Sequence, residues 1–92
     1  MDVHVNADEL EKFAREIRGF LETQQNATSR LRGAFNRVKN SWQDNKCKEF
    51  ENNFSDLLNR LIRFNELAQG DINHLKKLIV TQREYEGTRH SR

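Results

Sequence analysis

A chain of 92 residues with 16 Lys and Arg against 14 Asp and Glu has a net charge of +2, too small to predict wholesale attraction to nucleic acid or to a membrane surface. The single cysteine excludes an internal disulfide framework, and His4, His74 and His90 are too scattered to suggest a metal site, so neither metal nor cofactor is expected. No apolar run is long enough to span a bilayer and no signal-peptide core follows Met1, so the chain is expected in the cytoplasm, with any export using a route without a cleavable leader.

The absence of proline leaves two long stretches free to be helical. The first helix is predicted over about residues 7–41. Asn6 offers an N-cap side chain, Glu9 stands three residues on to reach back to it, and Asp8, Glu9 and Glu11 suit the positive helix end. Apolar residues then recur in sevens. Leu10, Ile17, Leu31 and Val38 share a row broken by Gln24, and Ala14, Leu21, Thr28, Phe35 and Trp42 form the row four residues on. A third row, Phe13, Phe20, Ala27 and Ala34, makes the stripe wider than a simple coiled-coil seam.

A polar break follows over about residues 42–45, and the second helix is predicted over about 46–85 with Asp44 or Asn45 as its cap, leaving a flexible tail over 86–92. Its rows are Cys47, Phe54, Leu61, Ala68 and Leu75, and Phe50, Leu57, Phe64, Leu78 and Tyr85, the latter interrupted by Asp71. Leu58, Ile72 and Ile79 widen the stripe. Two long helices joined by so short a break are expected to lie antiparallel, an all-α helical hairpin with Trp42 closing its bend. The expected register sets Leu10 near Leu75, Ile17 near Ala68, Leu21 near Phe64, Leu31 near Phe54 and Val38 near Cys47.

Two helices that pack only on each other need a narrow seam, and these stripes are broad. The rows around Leu10, Ile17, Leu21, Phe35, Phe50, Leu57 and Phe64 are assigned to the hairpin, while Phe13, Phe20, Leu58 and Ile72 are assigned to a dimer face. The expected assembly is a homodimer, or a heterodimer with a paralogue, in which two hairpins make a four-helix bundle. An enzyme is not expected, because a hairpin filled with aliphatic and aromatic side chains offers no place where nucleophile, base and substrate converge. Cys47, on an apolar row, reads as inert packing despite Lys46 and Lys48 beside it.

Length, paired helices, a central Trp in the bend and aromatics shortly after it, Trp42 followed by Phe50 and Phe54, together resemble the Trp-X-Gly family of small helical-hairpin proteins. The resemblance implies dimerisation into a four-helix bundle and a role as a substrate or partner of type VII secretion, with Trp42, Gln43 and Asp44 at the motif positions. Asp44 stands where the family usually has Gly. Family substrates often carry, after the second helix, a Tyr with an acid four residues on; Tyr85 occupies the Tyr position and Arg89 the other. Tyr85 also fits an apolar row.

Charge supplies the rival reading. Arg30, Arg32, Arg37, Lys39, Lys46 and Lys48 cluster in sequence around the bend against Asp44 alone, whereas acids outnumber bases over residues 8–22. The basic end suits phosphate contact, or else guides antiparallel pairing of two chains, acidic end to basic end. A cytoplasmic adaptor or chaperone for a helical partner is the third class. Asp71, in an apolar row, is read as a mark of bundle fraying, as a salt-bridge partner for Arg15 or Arg18, or as a register device.

Overall fold

A computed structural model describes residues 5–90, with side chains described as far as Gly87. His4, Ser91 and Arg92 lie outside the described residues. The chain folds into two α-helices, α1 (Ala7–Ser41) and α2 (Asn45–His90), that run antiparallel as a hairpin with extents of 73 × 20 × 19 Å. At about 1.5 Å per residue, α2 accounts for the long dimension, and its last turns project past the start of α1.

Local chemistry sets the helix ends. The Asn6 side chain accepts from the Glu9 N–H at 2.8 Å and the Glu9 carboxylate accepts from the Asn6 N–H at 3.4 Å, a complete capping box. At the other end of α1, Trp42 leaves the helix in an extended conformation while its N–H still donates to the Val38 carbonyl at 3.0 Å. Asp44 then accepts from the Cys47 N–H at 3.0 Å and starts α2. No residue among those described has a positive φ, so this bend requires no glycine. An Asp at that position is compatible with the backbone and supplies a cap that Gly lacks.

The seam divides into two halves. Near the free end, Ala7, Ala14 and Ile79 are buried with Leu10 and Leu75 against them, followed by Leu21, Ala68 and Ile72 with Ile17. The small alanines let the helices approach closely. Near the bend the filling is aromatic: Phe35 lies 5.1 Å from Phe54 and 5.6 Å from Phe50, and Trp42 lies 6.0 Å from Phe50 (ring centroids). Between the halves sits a polar layer in which Gln24 donates to Thr28 at 2.8 Å, and the buried side-chain oxygens of Gln24 and Asn65 have no hydrogen-bond partner among the described residues.

Several expected pairings shift. Leu10 and Leu75 do pack on one cluster, and Ile17 packs beside Ala68, but Leu21 meets Ala68 and Ile72 while the Phe64 ring meets Phe20. Phe35 faces Phe54, and both Leu31 and Val38 are exposed while Cys47 is buried. A helix of 3.6 residues per turn drifts by about 20° per heptad against a seven-residue row, so a row that borders the seam at Leu10 has turned outward by Val38.

The end of α2 also differs from expectation. Helix continues through residues 86–90, where a flexible tail was expected, and Gly87 keeps a negative φ. Glu86 gives the reason: its carboxylate accepts from the Ala7 N–H at 3.0 Å and from the Gln82 side chain at 3.3 Å, placing negative charge at the positive end of α1. One turn earlier, Arg83 pairs with Asp8 at 3.3 Å and Glu11 at 3.2 Å.

Candidate protein-interaction face

The rows of α2 that enter the seam are Cys47, Phe54, Leu61, Ala68 and Leu75, and Leu58, Asn65, Ile72 and Ile79, all buried or half-buried. Ile72, assigned from sequence to a dimer face, is 0% exposed inside the hairpin, and Leu58 is half-buried there. Conversely Phe50, Leu57 and Phe64, assigned to the hairpin, are exposed together with Leu78 and Tyr85. Both candidate rows were apolar. The row carrying Ile72 takes the seam, whereas the other row carries five bulky or aromatic residues and the charged Asp71.

On α1, Phe13 and Phe20 are 55% and 57% exposed, with Leu31 and Val38 beside their row toward the bend. The Phe20 and Phe64 rings meet edge-on, centroids 6.0 Å apart, so the exposed row of α1 and the exposed row of α2 border the same side of the hairpin. This side forms one apolar face running from Tyr85 and Phe13 to Phe50 and Val38. Leu67, 59% exposed, joins its margin. Its own row holds Arg60 and His74, so periodicity gave no sign of it. Asp71 is exposed within this face and forms no ion pair among the described residues; Arg15 pairs instead with Glu11 at 3.5 Å.

The bend has a second feature, an open cleft of about 700 Å³ lined by Asn36, Lys39, Trp42, Gln43, Lys48 and Glu51 among others. Trp42 is half-buried, one edge against Phe50 and the other at this cleft, so it both closes the core and remains accessible. Lys39 bonds Glu51, and that hydrogen bond, with the charge of the carboxylate, raises the pKa of its amine above the usual lysine value.

The six cations of the bend end do not form one surface. Arg30 and Arg37 share one row and Arg32 and Lys39 another, and rows two residues apart on a helix point about 200° from each other. Lys39 is already paired, while Lys46 and Lys48 sit on separate rows of α2. Cys47 is buried and unbonded, in a packing environment. Among the described residues no group of His, Cys, Asp and Glu is placed to hold a metal ion, and no helix is long and apolar enough to cross a membrane.

The fold and its open face define a class, the two-helix hairpin with one unpartnered apolar side. Comparison with family models, curated proteins and solved structures yields no match to this chain.

Proposed function

We propose that this protein works by association, pairing its open apolar face with a second helical hairpin to make a four-helix bundle, and that it serves as a substrate or partner of type VII secretion. The observation that carries the association is the face itself. Phe13, Phe20, Phe50, Leu57, Phe64 and Leu78 are all exposed along one side of the hairpin, while Ile62 and Val80 are exposed on the opposite flank of α2, and a contiguous apolar surface of this kind marks an interaction site. Pairing two such faces completes the bundle geometry in which antiparallel neighbours share an apolar centre.

The secretion reading draws its support from the resemblance to the Trp-X-Gly family, together with a bend in which Trp42 remains half exposed beside the cleft and Asp44 caps α2. In this account the bend, Trp42 above all, is read by the secretion machinery, while Tyr85 belongs to the apolar face. The test compares export of the wild-type chain and a Trp42→Ala variant from cells with and without a type VII apparatus. Export that depends on the apparatus and falls with a folded variant supports the reading. Retention of the wild-type chain in both cells contradicts it.

A further inference from the structure

The polar layer midway along the seam is enclosed by apolar residues. Leu21 and Ala68 are buried on its free-end side, and Leu58 and Leu61 are half-buried on its bend side. Leu21 packs with Ala68 and Phe35 against Phe54, and this register sets Gln24 level with Asn65 across the two helices. The side-chain oxygens Gln24 Oε1 and Asn65 Oδ1 are closed off from bulk solvent, and no donor among the described residues reaches either of them. A buried acceptor without a donor is costly enough that folded proteins almost always supply one.

The orientation of the Gln24 amide follows from its neighbour. Thr28 Oγ1 donates to the Gln24 backbone carbonyl at 2.8 Å and accepts from Gln24 Nε2 at 2.8 Å. With its one hydrogen spent on the carbonyl, the hydroxyl can meet the amide only as an acceptor, so Nε2 must face Thr28 and Oε1 must face away from it. Exchanging the two ends of the amide would set oxygen against oxygen with no hydrogen between them.

Two neutral acceptors at one level of an apolar seam specify the chemistry of what they bind. The ligand must be small, because the helices are in contact on both sides of the layer. It must bring two donor hydrogens, one for each oxygen. Positive charge gains nothing there, since no charged side chain is buried among the described residues. A metal cation stripped of its hydration shell needs about six oxygens, far more than this layer offers. Water meets every requirement: its two hydrogens match the two oxygens, and two polar partners suffice to hold it.

We infer that the seam binds one buried water, which donates at once to Gln24 Oε1 of α1 and Asn65 Oδ1 of α2 and so bridges the two helices. The bridge works only in this register. Sliding one helix by seven residues would set Gln24 level with Leu58 or Ile72, and Asn65 level with Ile17 or Leu31, so that the two oxygens could no longer share one molecule. The inference is independent of the association proposed above, because the layer lies inside a single hairpin.

Crystals of the full chain that resolve ordered solvent test it directly. The expected result is one density peak within about 3.2 Å of both oxygens. A direct bond from Asn65 Nδ2 to Gln24 Oε1, with no peak in the layer, overturns the inference. So does a peak ringed by about six oxygens, which marks a metal cation. Urea unfolding gives a second reading in solution. Gln24→Leu and Asn65→Leu are each expected to lower the folded-to-unfolded ratio about ten-fold, because each displaces the water and leaves the other oxygen without a donor. The double variant has no oxygen left to satisfy and is expected to return to within about two-fold of the wild type. Single variants as stable as the wild type, or single effects that simply add in the double variant, overturn the shared ligand.

Discussion

The carboxylate of Glu86 accepts a hydrogen bond from the backbone N–H of Ala7, 79 positions away in sequence. This contact ties the last turns of α2 to the first turn of α1, at the end of the hairpin that has no covalent bend. It also satisfies one of the N–H groups that a helix start leaves without an intrahelical partner.

Glu86→Ala should therefore cost about 1 kcal/mol, the usual worth of a cap with a favourable charge at a helix N-terminus. Urea unfolding of the two proteins measures it. Truncation after Tyr85 should cost at least as much, and a truncated chain as stable as the full one would show that residues 86–90 contribute nothing.

Ile72→Ala and Phe20→Ser should separate the two faces. Ile72 is fully buried inside the hairpin, so removing its side chain should destabilise by about 2–5 kcal/mol. Phe20 is mostly exposed on the open face, and its replacement should chiefly dissociate the assembly. Circular dichroism melts read alongside sedimentation distinguish the outcomes. Equal loss of helix in both variants at the same concentration would mean that Phe20 supports the hairpin itself.

The bend makes a graded prediction. Asp44 caps α2 through the Cys47 N–H, so Asp44→Ala should cost about 1 kcal/mol and Asp44→Gly only a few tenths. Because no described residue has a positive φ, glycine should bring no gain in return. A clear stabilisation by Asp44→Gly would indicate a bend that is strained as it stands.

How much of this was legible in the sequence depends on how local the cause is. The capping box of Asn6 and Glu9 and the cap of Asp44 act within three residues, and both helix starts could be placed from them. The hairpin followed from two long apolar stripes around a short break. What could not be read was which rows of α2 face inward, because Phe50, Leu57 and Phe64 are as apolar as Leu58, Ile72 and Ile79. That choice depends on how the two helices pack together, a property of both of them and not of either stripe alone. The Glu86 contact is equally invisible to periodicity, and so is the spread of the bend cations around the hairpin until the helix rows are drawn.

Lys39 provides a test by titration. Its hydrogen bond to Glu51, and then the charge of that carboxylate, raise the amine's pKa, so the stabilisation from this contact is complete below the unfolded-state value and is lost as pH rises through the raised one. By NMR, Glu51→Gln should lower the titration midpoint of the Lys39 amine. A Lys39 midpoint that the substitution leaves unmoved would mean that the pair does not form in solution.

The central claim is that the open apolar face is covered by a second hairpin, and the most direct measurement is the mass of the purified protein in solution. Light scattering after size exclusion, over a low-to-high micromolar series, should give twice the chain mass of 11.0 kDa, with Phe20→Ser reverting toward the single chain. A folded wild-type monomer at every concentration would contradict self-association through this face.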